Sequence, residues 1–170
     1  MKAADICEIS DQCFLVSHKI CLQGSADEPF YLPASGDLKL HTIYFLEDFA
    51  ASALHEVSHW CIAGKARRRQ EDFGYWYDHH RNVDRQREFE NSEAGPQGLE
   101  WIFSVAAGLR FRVSCDNFDE EALNFDRFRR WVRAAAPQWL RVGLSERADF
   151  FVRALMARSG VADPYNRTFF

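Results

Sequence analysis

The chain has 170 residues, of which 47% are hydrophobic and 27% charged. This composition is typical of one globular core and excludes a disordered chain. The formal net charge of −4 disfavours a broad nucleic-acid groove, so we expect no direct nucleic-acid partner. No run approaches the roughly 20 apolar residues of a membrane span, and acidic residues near the start argue against a signal peptide. We therefore expect a single domain, residues 1–170, in the cytoplasm.

The first third of the chain predicts a helix followed by two strands. Apolar residues recur at helical spacing from residue 4 to residue 14, which predicts a first helix. A loop containing Gly24 and Pro29 is expected next. Aromatic and β-branched residues then predict strands at residues 30–32 and 40–46.

A second helix is expected to follow the strands and to carry the pentapeptide HEVSH. Asp48 is a suitable N-cap for it, and Gly64 is placed to end it. Its predicted apolar stripe consists of Ala50, Ala53, Leu54, Val57 and Cys61. His55 and His59 fall outside that stripe, so we expect them to face a cleft rather than the core.

The rest of the chain predicts two more strands and three more helices. The segments FGYWYD (73–78) and RFRVSC (110–115) alternate in the manner of strands. Helices are expected at residues 96–108, 119–136 and 145–160, of which the first begins at a proline and the second is ended by one.

The HEVSH pentapeptide is the strongest functional signal. On a helix, His55 and His59 lie one turn apart on the same face and can bind one metal ion. A zinc hydrolase would use Glu56 as the general base that polarises a metal-bound water. An oxygenase would use iron and a carboxylate as the third ligand. The pentapeptide alone leaves both readings open.

A third ligand is expected from the acidic segment before Pro96. Glu88, Glu90 and Glu93 could each reach the two histidines if this segment crosses their helix. Spacing does not choose among the three. The basic residues that follow the HEVSH helix, from Lys65 to Arg69, partly complement the negative end of that helix. A metal-stabilised binding protein that docks through this basic segment is therefore a further alternative.

Five segments, in order along the chain, form a recognisable set: YLPA (31–34), HEVSHWCIAGKARR (55–68), FGYWY (73–77), FENSEAGPQGLEWIF (89–103) and VAAGLRFRVSCDN (105–117). Together they resemble the elongation factor P hydroxylases, bacterial enzymes that complete the modification of a lysine on that translation factor. The resemblance covers most of the chain and weakens after Asn117.

The resemblance implies an Fe(II) site of the 2-His-1-carboxylate kind, in which His55, His59 and Glu93 match the ligands. It implies that O₂ is used to hydroxylate a lysine of elongation factor P that already carries a β-lysyl group. The order His, His, Glu differs from that of the 2-oxoglutarate enzymes, so 2-oxoglutarate is not carried over. The implied fold is α+β: a single compact zincin-like domain, with a small sheet packed against about five helices and the metal site on a central helix.

Overall fold

The computed structural model describes residues 1–71, 82–114 and 125–170. In these ranges, one three-stranded sheet packs with five helices of at least eight residues. The expected α+β class is therefore confirmed. No helix within the described ranges is both long and apolar enough to cross a bilayer.

The elements follow one another in a simple order. They are α1 Ala3–Ser10, β1 Ile20–Ala26, β2 Phe30–Leu32, β3 His41–Leu46, α2 Ala50–Ile62, α3 Val83–Ala106, α4 Phe125–Val142 and α5 Glu146–Ser159. A wider π-helical turn at Asp11–Leu15 and a short turn at Val16–His18 extend α1. The predicted first helix is thus confirmed, as are the strand at Phe30–Leu32 and the last helix. Ser145 caps α5 through its side chain, and Gly160 ends it in the left-handed conformation.

The loop predicted around Gly24 is wrong, because this residue lies in strand β1. β1 pairs in parallel with β3, and its register shifts between Gln23 and Ala26. A Cβ atom on Gly24 would lie 2.6 Å from the carbonyl oxygen of Glu47, so glycine is needed for this close approach. The glycine that looked like a loop signal marks a bulge in a strand.

The central strand β3 leads directly into α2, the helix that carries HEVSH. The sheet order is β1-β3-β2, and β2 pairs antiparallel with β3. Ile43 and Phe45 of β3 are buried in the main core, together with Leu54, Val57 and Cys61 from the predicted stripe of α2. The sheet therefore fixes one side of α2 and leaves its histidine face to meet another element.

Both predicted caps of α2 are wrong. Phe49 occupies the N-cap position without a side-chain hydrogen bond, so Asp48 does not cap the helix. The helix ends at Ile62, and Gly64 does not have a positive φ, so it supplies no left-handed turn at the helix end. Its last carbonyls are satisfied from a distant helix, because the Arg147 guanidinium donates to the oxygens of Cys61 (2.9 Å) and Ala63 (3.0 Å). The end of α2 is therefore stabilised by contacts with α5 and not by a capping residue next to the helix.

Helix α3 begins well before the predicted start at Pro96. Asn82 caps it by accepting from the backbone N–H of Arg85 at 3.0 Å, and Pro96 lies inside the helix. The early turns escaped prediction because the buried side chains on one face of α3 are polar: Gln86, Glu90, Glu93, Gln97 and Glu100. A search for apolar periodicity does not detect such a face.

Two further expectations concern the region around α4. Pro137 does not end this helix, which continues to Val142. Residues 110–114 form no strand, although Phe111 and Val113 do pack together against Phe128 and Val132. The backbone of Ser114 instead pairs with the side-chain amide of Gln97, at 2.7 and 3.1 Å. Cys115, the predicted strand at 73–78 and residues 119–124 of the predicted helix lie outside the described residues.

Candidate metal centre

Three side chains from two helices converge at one point. His55 and His59 project from α2, and Glu93 projects from α3. The Nε2 atoms of the two histidines lie 3.0 Å apart. Each Nε2 also lies 3.4 Å from an oxygen of Glu93, Oε2 for His55 and Oε1 for His59. One ligand atom from each residue falls within 4.8 Å of the others, so this group could hold a metal ion.

The helices dictate this arrangement. The four-residue spacing of the histidines places both rings on one face of α2. Glu93 belongs to the buried polar face of α3 and is 4% exposed, while the two histidine side chains are about one-fifth exposed. The site is therefore closed on the α3 side and open on the side where the imidazole edges reach solvent.

The donor set fits a metal ion. Two imidazole nitrogens and a carboxylate directed at one another favour a positive charge between them, which either a proton or a metal ion can supply. Two ligand atoms each about 2.1 Å from one ion are separated by about 3.0 Å at a right angle and about 3.4 Å at the tetrahedral angle. The observed separations of 3.0 and 3.4 Å match that range. Two histidines and one carboxylate also form the facial triad of non-haem iron sites.

A fourth side chain, Glu100, joins the site from behind. Its Oε2 lies 2.9 Å from Nδ1 of His55, on the opposite edge of the ring from the cluster. Glu100 is buried and follows Glu93 by seven residues, so both carboxylates lie on the same face of α3. Glu100 was not among the residues predicted from the sequence. The seven-residue spacing from Glu93 is the signal that could have found it.

The charges of the cluster are strongly coupled. Burial opposes a charge on His55, but its hydrogen bonds with Glu100 and Glu93 outweigh burial and hold the imidazole pKa well above its usual range. Burial likewise opposes ionisation of Glu93, but the nearby His59 and His55 hold the pKa of its carboxyl well below the usual range. Both shifts favour a protonated imidazole beside an ionised Glu93 when no metal is bound.

Metal binding is expected to release a proton and to weaken as the pH falls. An imidazole must be neutral to bind a metal, whereas the raised pKa of His55 favours the protonated ring in the metal-free protein. Affinity should therefore rise with pH until the pH exceeds the pKa of His55. Calorimetry in buffers of different ionisation enthalpy should show about one proton released per ion. A binding enthalpy that does not depend on the buffer would contradict this.

Glu56, the middle acid of the HEVSH motif, lies beside the cluster and not within it. It lines a small cavity next to His59, and burial raises the pKa of its carboxyl. The other residues lining the cavity are Tyr31, Ile43, Trp60, Ala63, Arg67 and Arg68. Glu56 is therefore placed to act on a group that occupies the space beside His59.

Of the three glutamates that spacing left open, Glu93 alone joins the histidines. Glu88 is exposed on α3. Glu90 is fully buried but faces Arg127 of α4, whose Nη2 donates to its Oε2 at 2.6 Å. The structure thus separates three residues that stand close together in the sequence.

The basic segment after α2 is partly a helix terminus. Nη1 of Arg68 donates to the carbonyl of Ala63 at 2.9 Å, and the carbonyl of Arg68 accepts from the Tyr31 hydroxyl at 2.9 Å. These contacts support the helix-end interpretation for Arg68. Lys65 and Arg69 are exposed, and a docking role for them stays a prediction.

The fold and the cluster define the protein as a small α+β protein with a potential His-His-Glu metal site. A family model described as Elongation factor P hydroxylase matches residues 9–168, and the chain belongs to this family. It is also 42% identical over 166 residues to the Elongation factor P lysine hydroxylase of Haemophilus influenzae, an alignment that covers 97% of this chain and 93% of the relative. The resemblance found in the sequence is confirmed.

Proposed function

We propose that the protein hydroxylates the β-lysyl-modified lysine of elongation factor P, using Fe(II) and O₂, as the last step of that modification. The observation that carries the proposal is the convergence of His55, His59 and Glu93 in a chain of the elongation factor P hydroxylase family. In this proposal the three residues are the iron ligands, and residues 1–170 act as one zincin-like catalytic domain. Because the substrate is a translation factor, we place the reaction in the cytoplasm.

The chemistry of the reaction favours iron over zinc. Hydroxylation inserts an oxygen atom from O₂ into a C–H bond, and zinc has no redox chemistry with which to activate O₂. A bound Fe(II) ion supplies that redox chemistry, and a facial set of three protein ligands leaves positions open on its other side.

In this proposal the ligand residues and the open side of the site have different roles. The histidines supply neutral donors from one rigid helix, and Glu93 supplies a negative charge from a second helix. Because Glu93 is 4% exposed, water does not compete for its carboxylate. In this proposal the lysyl side chain approaches from the open side, where about one-fifth of the His55 and His59 side chains is exposed.

The direct test combines metal analysis with a mass-shift assay. Protein purified anaerobically and loaded with Fe(II) should add one oxygen atom to β-lysylated elongation factor P, with matching uptake of O₂. Protein loaded with Zn(II) should add none and serves as the matched control. An equal product yield with Zn(II), or no product with full iron occupancy, would overturn the proposal.

A zinc-dependent hydrolase is the second candidate, because Glu56 lies beside His59 where a general base would act. The substitution Glu56→Gln separates the two. In a hydrolase, loss of the base costs about 10²–10⁴-fold in rate. In the proposed hydroxylase, Glu56→Gln should retain the metal and part of the hydroxylation, as measured by metal stoichiometry and mass shift. Complete inactivation, together with peptidase or nuclease activity of the wild type, would favour the hydrolase.

A further inference from the structure

We infer that Glu100 is a positioning residue that fixes the tautomer and the orientation of His55, so that the Nε2 lone pair of this ring faces the metal position. The inference deepens the proposed function and rests on its metal site. Neither the HEVSH motif nor the Glu93 ligand identifies Glu100, which has no direct place among the three convergent ligand atoms.

The geometry of the His55 ring carries the inference. Its Nε2 faces the cluster, 3.4 Å from Oε2 of Glu93 and 3.0 Å from Nε2 of His59. Its Nδ1 faces away, 2.9 Å from Oε2 of Glu100. A neutral imidazole has one N–H and one lone pair, and an ionised carboxylate can only accept. When His55 is neutral, as a metal ligand must be, and Glu100 is ionised, the N–H therefore lies on Nδ1 and the lone pair lies on Nε2, where a metal ion needs it.

The same helix presents both carboxylates to this ring. Glu93 and Glu100 are seven residues apart on α3, almost two full turns, so they contact His55 from one rigid face. The side chain of Glu100 is 8% exposed, so water cannot readily replace it as the acceptor. The carboxylate thus restricts rotation of His55 from the side opposite the metal position.

The face of α3 offers a comparison that separates positioning from burial. Glu90 is also a buried glutamate on α3, but it pairs with Arg127 and not with a histidine of the cluster. If a buried charge on α3 were important merely for folding, loss of either glutamate would act through stability. A positioning role predicts that loss of Glu100 acts on the metal site itself.

The experiment compares Glu100→Gln with Glu88→Gln, a control at an exposed position of the same helix. The probe is Zn(II), which is redox-inert, so binding is measured independently of hydroxylation. A glutamine at position 100 can turn its NH₂ group toward Nδ1 and favour the wrong tautomer. We expect Zn(II) affinity to fall by about 10–100-fold in Glu100→Gln and to stay unchanged in Glu88→Gln.

A spectroscopic readout excludes a purely structural effect. In ¹⁵N spectra of the Zn(II)-loaded wild type, His55 should show a protonated Nδ1 and a metal-bound Nε2. This signature should be weakened or lost in Glu100→Gln, while the folded amide spectrum persists. If Glu100→Gln does not fold, Glu100→Asp, which withdraws the carboxylate by one methylene group, takes its place with the same expected direction.

The outcomes distinguish the inference from the proposed function. Unchanged Zn(II) affinity and an unchanged His55 signature in the folded variant would overturn the role of Glu100 alone. A wild type that binds no Zn(II) through His55 would overturn the metal site and this inference with it. The expected loss of affinity, in a protein that shows no hydroxylation when loaded with iron, would support Glu100 and refute the proposed reaction.

Discussion

Glu93→Gln is expected to abolish tight metal binding and, with it, hydroxylation of elongation factor P. Glutamine keeps the size of the side chain but replaces an anionic ligand with a neutral amide oxygen. His55 and His59 alone would hold an ion at two points on one helix, whereas Glu93 adds the third point from α3. Because position 93 is buried, an anion from solvent cannot readily take the place of the lost carboxylate. Iron stoichiometry and the mass-shift assay, run in parallel, measure both losses.

The matched control is Glu88→Gln, the same change at an exposed position five residues earlier on the same helix. It should bind iron and hydroxylate like the wild type. Thermal melting of both variants should first show native-like folding. The ligand assignment is wrong if Glu93→Gln holds iron and hydroxylates normally while a neighbouring glutamate variant fails.

The chemistry of the site could be read from the sequence only where it followed a short spacing. His55 and His59 were predictable because four residues on a helix make one turn. Glu93 came from the family resemblance, since spacing left three glutamates equal. The seven-residue spacing places Glu100 on the same face of α3 as Glu93, but its contact with His55 depends on the angle at which α3 crosses α2. That angle is a tertiary property, and no local pattern records it.

The fold followed the same division between local and tertiary causes. Ser145 and Gly160 were predicted correctly as the ends of α5 because both act on their own helix. The predicted start of α3 was wrong because the buried face of this helix carries glutamates and glutamines, several of which pair with residues on other elements. The end of α2 was wrong because Arg147, far along the chain, supplies the donors that its last carbonyls need.

Buried glutamates on α3 have two distinct uses, and the metal site is only one of them. Oε2 of Glu90 accepts from both Nε (3.0 Å) and Nη2 (2.6 Å) of Arg127 on α4. Such a two-point contact is among the stronger charge-assisted hydrogen bonds. The contact joins α3 to α4, and the Glu90 side chain in it is 0% exposed. Its contribution should therefore appear in the stability of the protein and not in its metal content.

Glu90→Gln is accordingly expected to lower the free energy of unfolding by about 3 kcal/mol, at the lower end for a broken buried ion pair, because the Arg127 side chain is partly solvated. Gln retains the volume but not the charge, so the cost comes from the lost anionic partner of Arg127. Denaturant unfolding of metal-free protein measures the change, with Glu88→Gln as the control that should unfold like the wild type. Iron stoichiometry of the folded Glu90→Gln protein should stay normal. Loss of iron without loss of stability would show instead that Glu90 serves the metal site, and that its assignment to a purely structural role is wrong.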